Sequence, residues 1–299
     1  VRRFKLPEEF NYIAIYKRIA EQGKGQYRNV AMERLAQIFE NRRQYPRAAE
    51  WWQRLIKENA GNRRVKVWQA RLDQIIGNWG QFEPVMAQAA GQGATVEYRF
   101  RNGTSIEFVA HEIKVQKLLD DIKGYIKERS RGKTGPENLN WEKTNIGDIG
   151  WRLIQAKQKE YLGSQVASWR MEVKPRPDHF DKRLTVSTPF QKAGAYLLQA
   201  TIDHGNTCSI VLWLNDTSIV RKPLPEKAYY FVADAMTGRP VSKANVEFFG
   251  WRQQWRGPNN IEVNVKQFAE FTDSDGQLLT DKAAQPDDYR WLVTATTKE

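Results

Sequence analysis

Residues 228 to 250 read Ala228-Tyr-Tyr-Phe-Val-Ala-Asp-Ala-Met-Thr-Gly-Arg-Pro-Val-Ser-Lys-Ala-Asn-Val-Glu-Phe-Phe-Gly250. Tyr229, Phe231, Ala233 and Ala235 share one face at period two, and Tyr230, Val232 and Asp234 share the other, which predicts a largely buried strand. Thr237, Gly238 and Pro240 break the run. Gly238 can supply a positive φ, Pro240 fixes φ near the extended region, and Val246, Phe248 and Gly250 then resume the alternation. Two alternating runs joined by one tightly specified turn predict a structural β-sandwich module, and no side chain within the unit is poised to react.

The chain of 299 residues has room for two or three domains, each with its own core. Eleven Trp, eleven Tyr and thirteen Phe supply the large apolar surfaces that offset chain entropy, so a folded chain is expected. No apolar run approaches the roughly 18 residues needed to span a bilayer. The single cysteine, Cys208, excludes an internal disulfide framework. The sequence opens at Val1 without an initiator Met or a targeting segment, which is expected of a mature form or an excised fragment.

Charge is uneven. Residues 1 to 80 hold 17 Lys/Arg against 8 Asp/Glu, a balance of +9 that leaves only +3 of the total +12 for the rest. A basic front of this kind is either a surface for nucleic acid, anionic lipid or an acidic partner, or a solvated helical face rich in Arg. No nucleic-acid-binding motif accompanies it, so no nucleic acid is expected.

Residues 10 to 80 carry helical spacing: Tyr12, Ile15, Tyr16 and Ile19; then Met32, Leu35, Ala36 and Phe39; then Ala48, Trp52, Leu55 and Ile56. Tyr45-Pro46 falls where a short turn is needed, with Pro46 suited to the first turn of the next helix, so these segments predict an antiparallel helix pair. Leu35, Ala36, Phe39, Tyr45, Ala48 and Trp52 stand in the order and spacing of packing positions in a tetratricopeptide repeat, which the pair resembles. A further stripe, Trp68, Leu72, Ile75 and Ile76, keeps the amphipathic period but loses that register. The resemblance implies two or three imperfect hairpins.

The period changes after Gly77, Gly80, Pro84, Gly91 and Gly93. Val96, Tyr98 and Phe100 alternate before an Asn102-Gly103 turn, and Ile106, Phe108 and Ala110 alternate after it, as in a hairpin. Ile113 to Lys127 returns to helical spacing and Ser130 to Gly150 reads as a long loop. Short strands resume at Val166–Lys174, Leu184–Thr188, Gly194–Asp203, Cys208–Leu214 and Ser218–Val220, then a linker at Lys222–Pro225, then Ile261–Phe271 and Tyr289–Thr296. The expected domains are a helical region at 1–85, a β-sandwich at 86–221 with a helix-and-loop insertion at about 112–164, and a second sandwich at 222–299.

Four segments together resemble the bacterial alpha-2-macroglobulin family, in its order: Lys192-Ala-Gly-Ala-Tyr-Leu-Leu-Gln-Ala-Thr, Val211-Leu-Trp-Leu-Asn-Asp-Thr-Ser-Ile-Val-Arg-Lys, Tyr230-Phe-Val-Ala-Asp-Ala-Met-Thr-Gly-Arg-Pro-Val and Phe271-Thr-Asp-Ser-Asp-Gly. The similarity is good over roughly residues 165 to 299 and weaker over 91 to 164. It implies tetratricopeptide-like helices followed by two macroglobulin- or fibronectin-III-like antiparallel sandwiches, within a larger polypeptide. Its partners would be the other domains of that polypeptide, with proteases as targets of the full-length parent. A periplasmic or cell-surface location is implied in the same way. Some relatives bind proteases through a thioester formed by a Cys two residues before Glu-Gln; Cys208 is followed by Ser209, Ile210 and Val211 and cannot form one.

No phosphate-binding loop, nucleophile elbow or zinc-protease pattern occurs, and no catalysis, cofactor or metal is expected. His111, His179 and His204 lie far apart, and Asp273-Ser-Asp-Gly suits a β-turn better than a calcium loop. One cluster could contact a partner: Trp251, Arg252, Trp255 and Arg256, either a glycan- or partner-binding patch or tryptophans packed on a neighbouring domain. The resemblance implies a non-catalytic scaffold fragment of an inhibitor that traps proteases; a surface adhesin presenting these tryptophans to a glycan, and a basic adaptor whose helices bind an acidic partner or nucleic acid, are the alternatives.

Overall fold

The computed structural model describes residues 7–130, 159–257 and 260–297. Four helices open it: α1 (Tyr12–Gln22), α2 (Gly25–Asn41), α3 (Tyr45–Glu58) and α4 (Val65–Ile76). Met32, Leu35, Ala36 and Phe39 of α2, Ala48, Trp52 and Leu55 of α3, and Trp68, Leu72 and Ile75 of α4 form one buried cluster, as their spacing predicts. In α1 the buried side turns toward Ile13, Tyr16, Ile19 and Ala20. Tyr12 is left outside, with the Arg42 guanidinium over its ring at 5.6 Å.

Polar contacts fix the helix directions. Arg28 near the start of α2 pairs with Glu58 at the end of α3 (2.9 Å), so these two run antiparallel. Glu33 pairs with Arg64 (2.7 Å) and Glu40 with Arg71 (2.8 Å), which sets α4 beside α2 in the same direction.

The first sandwich uses β1 (Trp79–Phe82), β2 (Gln88–Ala89), β3 (Thr95–Arg101), β4 (Ser105–Ile113), β5 (Leu162–Glu172), β6 (Lys182–Ser187), β7 (Gly194–Ile202) and β8 (Thr207–Asn215). Its sheets have the orders β1-β3-β6 and β2-β8-β7-β4-β5, antiparallel except for the β2–β8 pair. Val96, Tyr98 and Phe100 from the smaller sheet meet Phe108, Leu198, Ala200 and Leu212 from the larger in a buried core. One helix, α5 (Val115–Ser130), interrupts the larger sheet between β4 and β5. Of the loop expected at Ser130 to Gly150, residues 131 to 150 lie outside the described residues.

The second sandwich uses β9 (Thr217–Leu224), β10 (Lys227–Asp234), β11 (Asn245–Gly257), β12 (Asn260–Phe271), β13 (Gln277–Asp281) and β14 (Arg290–Thr296). Its sheets are β13-β10-β9 and β12-β11-β14, enclosing Tyr230, Val232, Val246, Phe248 and Leu278. Between β10 and β11 the Asp234 carboxylate accepts from the Met236 and Thr237 backbone N–H groups at 3.1 and 2.7 Å, and Gly238 takes φ +69°. Hydrogen bonds from Thr237 hold the Asp234 carboxyl below its ordinary pKa.

The chain departs from the sequence expectations in several places. The Asn102-Gly103 turn is no hairpin: β3 and β4 belong to opposite sheets and the turn arches across the core, which both runs of alternating apolar residues face. The turn after β10 likewise carries the chain from one sheet to the other. Sheet structure begins at Trp79, ahead of the expected boundary after residue 85, because β1 pairs with β3. The linker expected at Lys222–Pro225 is largely strand, since Lys222, Pro223 and Leu224 pair with Tyr229, Ala228 and Lys227, and the expected boundary after residue 221 falls inside β9. Pro223 is tolerated because β9 is an edge strand.

Candidate functional site

The joint between helices and sheets is built from backbone-capping amides. The last carbonyls of a helix need donors from outside it. Asn102, in a left-handed conformation (φ 64°) at the β3–β4 arch, gives its Nδ2 to the carbonyls of Ile75 and Gly77, both at 2.9 Å. Its Oδ1 lies 2.8 Å from His179 Nδ1. Because Asn102 Oδ1 can only accept, His179 Nδ1 is the donor, and this sets the tautomer. Burial, and then the Arg101 charge, lower the His179 pKa, so the ring is neutral at pH 7. Asn206 exchanges two hydrogen bonds with the Gly80 backbone, both at 2.8 Å, and Asn78 donates to the Asp203 carbonyl (2.6 Å). Tyr45 at the start of α3 meets Phe180 edge to face at 5.2 Å.

A second joint is α5 itself, which has two apolar sides. Leu118, with Val115 and Ile122, packs on Ala195, Leu197, Val211 and Trp213, the outer face of the larger sheet of the first sandwich. Ile126, again with Ile122, packs on Phe249, Trp251, Val263, Val265 and Leu292, the outer face of the β12-β11-β14 sheet. Lys123, nearly buried, reaches Glu247 of β11 at 3.3 Å. Helical period places Ile122 and Ile126 one turn apart and Lys123 beside them, so one helix serves two sheets.

The Trp/Arg run does not form a single patch over the described side chains. Trp251 and Arg252 are successive residues of β11 and point to opposite faces. Trp251 packs with the α5 contact, its ring 6.1 Å from Phe249. Arg252 pairs with Asp288 and lies over the Tyr289 ring at 5.1 Å. Trp255 pairs through its backbone with Ile261, and a register shift follows it; the side chains of Trp255 and Arg256 lie outside the described residues.

The groups that could carry chemistry are dispersed. Among the described residues no three His, Cys, Asp or Glu side chains gather to hold a metal ion. Cys208 packs against the first sandwich core. Burial pushes its thiol pKa up, and the same cause, with Cys208 beside it, raises the Tyr98 phenol. Both groups are therefore neutral at physiological pH, and the thiolate needed for reactivity is scarce. No helix among the described residues is long and apolar enough to cross a membrane. Sequence reasoning missed Asn102 as a helix cap, having read it as a hairpin turn, and missed the second apolar side of α5. The spacing of Ile122 and Ile126 was the available signal for the latter.

Helical hairpins feeding two antiparallel sandwiches, with one helix shared between the sandwiches, define a modular multidomain chain of mixed α and β structure. It is similar to a crystal structure of native alpha-2-macroglobulin from Escherichia coli spanning domains NIE-MG1, with 13% identity and a TM-score of 0.45 over 75% of this chain and 94% of that one. A structure from the same organism spanning domains MG0-NIE-MG1 matches with 12% identity and a TM-score of 0.44, over 74% of this chain and 64% of that one. A cryo-EM reconstruction of the native conformation of the E. coli protein matches with 13% identity and a TM-score of 0.36, over 73% of this chain and 12% of that one. No family model and no curated protein matches the chain.

Proposed function

We propose that the chain is a non-catalytic scaffold portion of a bacterial macroglobulin-like protease trap, extracytoplasmic in location. In this reading the helices, as tetratricopeptide-like hairpins, form a docking or spacing arm, and the two sandwiches are consecutive links that pass on a conformational change. The observation that carries the reading is where the four family-like segments fall. Lys192–Thr201 lies largely on β7, Val211–Lys222 runs from β8 across into β9, Tyr230–Val241 is β10 with its turn, and Phe271–Gly276 leads into β13. They occupy the path by which the chain leaves one sandwich and builds the next, so the resemblance follows the order of modules and not one local motif. Packing of Trp251 beside α5 weighs against the adhesin reading, which needs that ring free to meet a glycan.

The test is to express the full-length parent and challenge it with several endoproteases. A trap is expected to be cut in one exposed segment, to become more compact on a native gel, and to leave the bound protease active on small peptides but not on protein substrates. Scattered cleavage without compaction, or a protease that still digests proteins freely, would overturn the proposal.

A further inference from the structure

The two sandwiches are joined covalently by a single residue, Asp216, between β8 and β9. Its carbonyl accepts from Ala235 N at 2.7 Å, and its carboxylate from Thr217 Oγ1 at 3.0 Å. Each sandwich closes its own core on the inner faces of its sheets, so neither depends on the other for that burial. Between their outer faces lies α5. Its sequence neighbours β4 and β5 both belong to the first sandwich, and Lys114 N at its start donates to Tyr161 O at 2.8 Å. Leu118 is buried there against Leu197, and Lys117 stands over the Tyr161 ring at 5.2 Å.

Contact with the second sandwich uses the later half of the helix. Ile126, Phe249 and Val263 are buried together, Lys127 stands over the Phe249 ring at 5.8 Å, and Lys123 meets Glu247. A nearly buried ammonium facing a half-exposed carboxylate regains water when the faces part, so this pair weakens the contact less by leaving than an apolar pair would. We propose that Asp216 is a hinge and the second half of α5 a latch: on opening, the β12-β11-β14 sheet swings away while α5 stays on the first sandwich. This inference stands on the packing alone and is independent of the function proposed above.

The hinge and latch are tested by spin labels at Gln81→Cys and Gln277→Cys in a Cys208→Ala background of the whole chain, with the distance measured by electron paramagnetic resonance. The parent protein is expected to give one narrow distance, and Ile126→Asp a broad distribution extending to longer distances with hydrogen exchange in α5 from Lys117 to Ile122 unchanged. A folded Ile126→Asp protein that keeps the narrow distance overturns the latch, and loss of protection at Lys117 to Ile122 overturns the claim that α5 stays behind. Should Ile126→Asp fail to fold, Glu247→Lys takes its place, setting two ammonium groups face to face on a partly exposed position. Broadening then supports the latch and an unchanged narrow distance overturns it.

Discussion

At the scale of single residues, His179 and Asn102 carry the attachment of α4 to the first sandwich. An imidazole kept neutral by burial and by a neighbouring guanidinium binds its proton less readily in the folded chain than in the unfolded one. Proton binding therefore favours unfolding. Stability from this group is complete above the unfolded value of about 6.5, declines as pH falls through the window between that value and the depressed folded one, and is flat below it. The urea midpoint is thus expected to drop on acidification below about pH 6.5, and to lose that part of the slope in His179→Asn. Asn suits the left-handed backbone of His179 (φ 62°). An identical slope in the variant would assign the pH dependence to carboxylates instead. None of this was legible in the sequence, where His179 is an isolated histidine in turn-forming residues; its partner comes from a turn 77 positions away.

At the scale of elements, period two identified most strands but not the sheets they join. The runs around Val96 and Ile106 each alternate cleanly, and a hairpin and an arch over a core give the same alternation, since both bury one face of each strand. The difference lies in pairing partners, β1 and β6 for one strand and β5 and β7 for the other, of which β5, β6 and β7 are remote in sequence. Strand β13 went unread because Leu278 and Leu279 are adjacent and only the first is buried. Strand β1 went unread because it is four residues long and holds Gly80. That glycine is a packing requirement: a Cβ there would sit 1.8 Å from the Tyr98 hydroxyl oxygen. Gly80→Ala is expected to cost about 1–3 kcal/mol in chemical denaturation, the usual range for overpacking a well-filled core. Combining it with Tyr98→Leu should recover part of that loss, giving a coupling energy opposite in sign to the single effects. Purely additive losses would mean that the strand, and not the Tyr98 contact, demands the glycine.

At the scale of the whole molecule, the fold class was legible, because helical and strand periods occupy different stretches and each stripe must bury itself. How the modules meet was not, since the joints rest on capping amides and on a helix with two partners. The structure separates its apolar contacts into one helical cluster, one core per sandwich and the two sides of α5. Among the described residues, hydrogen bonds, ring contacts and one short connection tie the helical cluster to the rest, and this arrangement limits how far damage can spread. Trp52, fully buried in the helical cluster, is expected to cost about 3–5 kcal/mol on truncation to Ala. Separate cores unfold as separate cooperative units when the contacts between them are weaker than those within. Hydrogen exchange of Trp52→Ala should therefore show lost protection through α2, α3 and α4, with the amides of β10, β11 and β12 exchanging at parental rates. Protection lost equally across both sandwiches would mean that the amide contacts of Asn102 and Asn78 couple the arm to the sheets as strongly as either core holds itself, and the arm would then transmit load instead of merely docking.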